Sequence, residues 1–226
     1  MLEYSSLIIF DETVQLSLFF YMKLKTIKLT DCDVTIPVPQ NYTDCIELLK
    51  SDFSRIGGGK NVTFLQLWIA TFRNHCFRYN FWLRMSAHKG LFYPFCKWIL
   101  HRCSIKYGLD IPSSTIIGYG LYIGHGYGII VNPTAIIGNN VNLSQFTTIG
   151  SNEGKAAVIG DNVYIGPGVC IVEDVKIGSN VCIGAGAVVT KDIQSGMTVA
   201  GVPAKVIGNN RHDGYIVNRW EIQETN

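Results

Sequence analysis

The chain has 226 residues, 47% of them hydrophobic and 16% charged, with a formal net charge of +2. That length suits one large domain or two small ones. The near balance of charge, without runs of positive residues, gives no electrostatic case for binding nucleic acid. Seven cysteines (Cys32, Cys45, Cys76, Cys96, Cys103, Cys170 and Cys182) stand at scattered spacings with no CxxC. The odd count argues against a disulfide framework or a zinc site; it fits small buried hydrophobes in a reducing cytoplasm. No stretch reaches the ~18 apolar residues of a membrane span.

At the N-terminus, Glu3, Asp11 and Glu12 stand where a signal peptide needs positive charge. The residues before Met22 also read as an extension upstream of a second start. Residues 1–40 show no clear period and are taken as an irregular segment, with Val34 to Pro39 extended because its two prolines forbid helix. Residues 41–105 form a helical region. Asp44 to Arg55 reads as a helix with Thr43 as N-cap and Gly57 to Gly59 as its stop. Residues 62–86 read as one longer helix, with Leu65, Trp68, Ile69, Phe72, Cys76, Tyr79 and Leu83 on a single stripe. A third apolar and aromatic segment, Leu91 to Cys103, contains Pro94. Arg73, Arg78, Arg84 and Lys97 are interleaved with these aromatics. The preferred reading is a subdomain that packs on the rest of the chain and on sister subunits. The second is an amphipathic surface in peripheral contact with a membrane or a lipid-linked substrate.

Residues 106–208 carry the dominant pattern. An aliphatic residue returns every six positions through Ile111, Ile117 and Ile123, then Val131, Ile137, Leu143 and Ile149, then Ile159, Ile165, Ile171, Ile177, Ile183 and Val189. Glycine follows eight of these, from Gly118 to Gly184, and is expected to let the chain bend into the next side. The residue two before each, such as Val141, Thr147, Val163 or Val181, is mostly small or β-branched and suits a second inward position. A six-residue period is neither helical nor plain alternation. One hexad cannot bury its own isoleucine, but stacked coils can, isoleucine on isoleucine at the ~4.8 Å strand spacing. The expected fold is an all-β solenoid behind an N-terminal α-helical region. Residues 209–226 read as a tail that docks weakly if at all.

The beat breaks twice, between Ile123 and Val131 and between Ile149 and Ile159. Extra residues in a solenoid leave as loops, which often gather on a functional face. The second interruption holds Ser151 to Ala157. The first is Gly124-His125-Gly126-Tyr127-Gly128, with the one histidine of the repeat region.

The runs Asp110-Ile111-Pro112, Ile123 to Val131, Asn132-Pro133-Thr134-Ala135 and Ala200 to Lys205 resemble the serine acetyltransferase branch of the hexapeptide acyltransferases, over roughly residues 44–208. The helical part, with Ser51-Asp52-Phe53-Ser54-Arg55, resembles the shortened N-terminal region of polysaccharide-cluster O-acetyltransferases of that branch. The resemblance implies a left-handed parallel β-helix with three hexads per coil, a homotrimer, and acetyl transfer from acetyl-CoA to a hydroxyl with no metal. It implies His125 as the general base, since imidazole can take a proton from an alcohol near neutral pH, and Asp110 as the carboxylate that orients it. It also implies that Gly166, Pro167, Ala185 and Gly186 line the pantetheine arm and that Lys191 and Lys205 lie near the nucleotide phosphates, in a groove between subunits.

Two positions depart from the family's serine-binding members. Gly124 stands where they carry an aspartate, and Asn152-Glu153-Gly154-Lys155 where they carry an Arg-His pair. A zwitterion without charged partners loses water and gains nothing. The expected function is therefore O-acetylation of a sugar or capsular-polysaccharide precursor by a cytoplasmic enzyme. Serine O-acetyltransfer in cysteine biosynthesis is the alternative. A zinc hydratase on the same solenoid needs three histidines at the metal, but His75, His88, His101 and His212 all fall outside the repeat. A scaffold without catalysis is disfavoured because His125 and Asp110 are both present.

Overall fold

The computed structural model describes residues 25–29, 34–57, 59, 61–209 and 213–221. The readings on the first 24 residues, Cys32, Gly58 and His212 lie outside the described residues. Within the segment expected to be irregular, β1 (Lys25–Leu29) and β2 (Val34–Val38) pair as an antiparallel hairpin. Val34 and Ile36 are fully buried.

Helix α1 (Tyr42–Arg55) starts earlier than its sequence suggests, because Asn41, not Thr43, caps it: its side chain accepts from the Asp44 amide at 2.9 Å. The expected long helix is two. α2 (Phe64–Arg73) opens on a capping box of Thr63 and Gln66. The chain then turns at Asn74, which is extended at φ −132° and ψ 114° and caps α3 (His75–Met85) through the Phe77 amide. An Asn side chain offers the backbone an alternative to continuing the helix. The split changes the stripe. Tyr79 and Leu83 on α3 are buried, but on α2 the buried residues are Leu67, Ala70 and Thr71, while Leu65, Trp68, Ile69 and Phe72 face outward. α4 (Tyr93–Tyr107) carries Pro94 in its first turn and ends on Gly108 in the left-handed region at φ 63°. No helix among the described residues is long and apolar enough to cross a membrane.

The hexads close into a left-handed parallel β-helix of about four turns. Its first face stacks β3 (Ile116–Ile117), β6 (Ile136–Ile137), β9 (Val158–Ile159) and β12 (Lys176–Ile177). The second stacks β4 (Tyr122–Gly124), β7 (Asn142–Ser144), β10 (Tyr164–Ile165), β13 (Cys182–Ile183) and β15 (Met197–Ala200). The third stacks β5 (Ile130–Val131), β8 (Thr148–Gly150), β11 (Cys170–Val172) and β14 (Val188–Val189). Register follows the beat: Ile137 sits on Ile117 and under Ile159, and Leu143 lies between Ile123 and Ile165. Every aliphatic residue of the beat and every residue two before it is buried. β16 (Lys205–Asn209) reverses direction and closes the second face antiparallel to β15.

The glycines behind the isoleucines serve a different purpose from the expected bend. A Cβ on Gly138 would lie 2.5 Å from the Gly160 carbonyl oxygen, and one on Gly160 would lie 2.7 Å from Gly178 C. They let one coil touch the next. The sharp turn falls two residues later, where Asn140, Asn162 and Asn180 hold φ of 54°, 56° and 59°, the left-handed region that Asn tolerates best after Gly.

The helical region is bolted to the first coil by the Ser51 to Arg55 run. Arg84 donates to both Asp52 oxygens at 2.9 Å and to the Ile117 and Gly118 carbonyls. Asp52 also accepts from Leu121 N, and Ser51 Oγ from Gly120 N. Arg55 donates to the Gly120 carbonyl and to Asn142 Oδ1. Burial pushes the Asp52 carboxyl up from its ordinary value, and Arg84 opposes it. Leaving either member of this buried pair alone would cost roughly 3–5 kcal/mol. The tail docks, contrary to expectation. Asn142 and Asn140 donate to the Tyr215 and Trp220 carbonyls, Arg55 to that of Val217, and the Tyr215 ring packs on Tyr164 at 4.7 Å.

Candidate active site

β4 ends the second face, and the chain turns through His125 to Gly128 before β5 begins the third. His125 is exposed and sits at φ 51°, a conformation that costs a non-glycine residue energy and persists only where the surroundings impose it. They do so here. Gly126 is buried; its amide donates to Cys76 Sγ at 3.2 Å, and a Cβ at this position would lie 2.8 Å from Ile123 Cγ2. The Tyr127 ring packs on His75 at 5.2 Å, and His75 on Tyr107 at the same distance. The Tyr127 carbonyl accepts from Phe146 N on the next coil at 2.9 Å. The first turn of α3 thus holds the loop from beneath, and the imidazole is left free on its outer side.

Asp110 leaves α4 just past the Gly108 cap and bridges Ile130 of β5, with Asp110 N donating to Ile129 O and Asp110 O accepting from Val131 N, both at 2.8 Å. Tyr79 Oη fixes this strand by accepting from Ile111 N at 3.0 Å. Burial pushes the Tyr79 phenol above its ordinary value, and the Asp110 charge adds to that. Asp110 and His125 share one end of the solenoid, both exposed. No hydrogen bond joins them in the single chain.

The other expected site residues divide. The His125 loop heads a ladder down the corner between the second and third faces, where Phe146 N donates to Tyr127 O, Gly168 N to Gln145 O and Gly186 N to Pro167 O. Gly166, Pro167, Ala185 and Gly186 all lie on this corner. The Gly166 backbone touches the next coil, since a Cβ there would lie 2.8 Å from Ala185 N, whereas the space beside Gly186 is open. Lys205 continues the line, paired with Ala200 at the end of β15 and exposed. Lys191 does not belong to it. It lies between Val189 of the third face and Ile193, which bridges Ile177 of the first, so it stands on a different corner.

The Ser151 to Ala157 loop also leaves by another corner, between β8 and β9. The two interruptions therefore do not gather on one face of a single chain. Glu173 holds the start of this loop: Ser151 Oγ donates to it at 2.8 Å, and the Asn152 and Glu153 amides at 3.3 Å. The Ser151 hydroxyl and these amides hold the Glu173 carboxyl below its ordinary value. Asn152 to Lys155 are exposed.

An acyl thioester arm is long, narrow and lined with amides. The corner offers it small side chains, open space at Gly186 and a terminal cation at Lys205, so the residues fit such a group.

Residues 156–191 match the family described as bacterial transferase hexapeptide (six repeats). A probable serine acetyltransferase of Oryza sativa subsp. japonica is 37% identical over 117 residues, covering 50% of this chain and 38% of that protein. The serine acetyltransferase of Escherichia coli (strain K12) is 31% identical over 141 residues, 61% of this chain and 50% of that one. The chain thus spans half or less of the length of these curated relatives. The crystal structure of Neisseria gonorrhoeae serine acetyltransferase in complex with serine superposes with a TM-score of 0.61 at 30% identity, covering 72% of this chain and 69% of that chain.

Proposed function

The chain belongs to the hexapeptide-repeat acyltransferases, and from that premise we propose that it transfers an acetyl group from acetyl-CoA to a substrate hydroxyl at the His125 corner. One observation carries the reading. A histidine is held out in a left-handed conformation by a glycine loop, at the head of an open ladder of small residues. Acetyl-CoA supplies an activated thioester. His125 takes the proton of the acceptor hydroxyl as that oxygen bonds to the acyl carbon, and returns it to the sulfur as the carbon–sulfur bond breaks. Asp110 steadies the imidazole once the acceptor and a second subunit enclose this end of the coil. Backbone amides of the corner turns serve the charge that builds on the acyl oxygen. Gly166, Pro167, Ala185, Gly186 and Lys205 hold the thioester arm. Lys191 serves a neighbouring subunit's arm if it serves any. Free thiols at Cys45, Cys96 and Cys103 fit a cytoplasmic enzyme.

The relatives named above support L-serine as the acceptor. The sugar hydroxyl expected from the sequence stands as a second reading, favoured by Gly124 and by the exposed Asn152 to Lys155 loop. A steady-state comparison of L-serine with nucleotide sugars and oligosaccharides, followed by release of CoA, decides between them. A kcat/KM for serine of ~10⁴ M⁻¹s⁻¹ or more establishes serine. A lower value for serine beside turnover of a sugar establishes the second reading. Gly124→Asp refines the test, since the new Cβ would lie 3.2 Å from the Tyr122 ring edge and no nearer than 3.9 Å to backbone. On the second reading, this variant gains activity on serine.

A further inference from the structure

We propose that the helical region is a docking surface for an anionic lipid bilayer, with its aromatic face in the headgroup layer and its cations on lipid phosphates. Three observations carry this. The first is a continuous exposed apolar face. Leu91 is 87% exposed, Phe72 66%, Trp98 61% and Phe95 55%. The aromatic rings connect across three helices through Trp82, itself buried, with Phe72 on Trp68 at 5.7 Å, Trp68 on Trp82 at 6.0 Å, Trp82 on Phe95 at 5.9 Å and Phe95 on Trp98 at 6.5 Å. Burial in the core consumes Leu67, Phe77 and Leu100 and leaves this face without a partner among the described residues.

The second is charge. From Phe53 to Leu109 every charged side chain is Lys or Arg, and no Asp or Glu interrupts them. Arg84 is neutralised by Asp52, and Arg55 spends its donors on the solenoid. Arg73, Lys97, Arg102 and Lys106 are exposed on these helices, and Lys89 on the connection between α3 and α4. On α4, Phe95, Trp98, Arg102 and Ile105 recur at spacings of three and four, so the cation stands within the apolar stripe itself. The third is a cavity of about 310 Å³ at the end of that stripe, where Arg78, Arg102 and Lys106 meet Tyr107 and Ile105. Three cations with no carboxylate around one hollow suit a phosphate ester.

A second copy of this face is the wrong occupant, because it would set cations against cations with no acidic side chain to compensate. An anionic leaflet provides the opposite charge, and tryptophan with arginine or lysine is what the bilayer interface selects. The helices are too short and too polar to span, so the contact is peripheral.

The test is flotation of the full chain with vesicles of phosphatidylcholine, alone or with a quarter phosphatidylglycerol, alongside light scattering. The expected result is partition onto the anionic vesicles only, falling about tenfold or more as salt rises from ~0.05 to ~0.5 M, with a blue shift of tryptophan emission. Phe95→Glu with Trp98→Glu is expected to abolish flotation. Arg102→Glu with Lys106→Glu is expected to lower it about tenfold or more at low salt. If the first pair does not fold by circular dichroism, Leu91→Glu, at the most exposed position, takes its place. Failure of the unaltered protein to float with anionic vesicles at low salt overturns the proposal, as does equal flotation with pure phosphatidylcholine. So does a change of oligomeric mass in the variants with flotation unchanged, which would make the face a contact between copies.

Discussion

On the proposed reading His125 is the residue on which the chemistry turns, and its geometry makes a sharp demand. The imidazole is exposed and its backbone is fixed from below, so removing the ring should leave the coil intact. His125→Ala is expected to cut turnover by ~10²–10⁴-fold with an unchanged circular dichroism spectrum. Asp110→Asn should cost less, because it removes orientation and leaves the base. His125 stood out in the sequence because it is the one histidine in the repeat and sits where the beat fails, and its role as base came from the resemblance. Its supports did not stand out. Cys76 and His75 come from a helix whose stripe points equally to plain packing, and only the folded chain brings Cys76 Sγ against the Gly126 amide. Lys191 was named from the resemblance, and only the folded chain shows that it stands on a different corner from the His125 ladder.

At the scale of elements, the isoleucine beat specified strands β3 to β14, because its residues fill the interior and nothing else competes for that space. The glycines behind it were misjudged as bends. Gly138→Ala tests the revised reason: its Cβ meets backbone atoms of Gly160, which cannot swing aside, and a loss of about 1–3 kcal/mol is expected in denaturant unfolding. A simple bending role predicts almost none. The single helix expected over residues 62–86 failed for a local reason: Asn74 offers its side chain to Phe77 N, and the three- and four-residue spacing runs on across the break. The Ser151 to Ala157 loop carries its own pH dependence. The folded Glu173 carboxyl lies below its ordinary value, so its grip is complete above the usual glutamate range and is lost as pH falls through that lower folded value. Amide exchange at Asn152 and Glu153 is expected to accelerate over that acid window beyond the intrinsic trend. Glu173→Gln should produce the same loosening at neutral pH.

For the whole molecule, three faces around an apolar interior leave apolar side chains pointing outward, with Ile130 50% and Phe146 62% exposed beside the His125 ladder. Closed assembly of identical chains would cover them, and light scattering at micromolar concentration is expected to give three times the 25.1 kDa chain mass. The sequence did not foretell the docked tail, whose few apolar residues carry no period. Its hold comes from Asn140, Asn142 and Tyr164, side chains that the hexads place on the coil for other reasons, and from Arg55 of α1. A parallel stack, meanwhile, has no inherent end: each rung is a template for another, in this molecule or the next. The antiparallel return of β16 is what says stop. Its strand runs against the grain of those beneath it, so no further coil can copy its register, and at this end the solenoid becomes a finite object instead of a fibre. A chain cut after Ala200 is expected to lose that terminator and to associate through its bared last coil into a faster-sedimenting species, while the intact protein stays discrete.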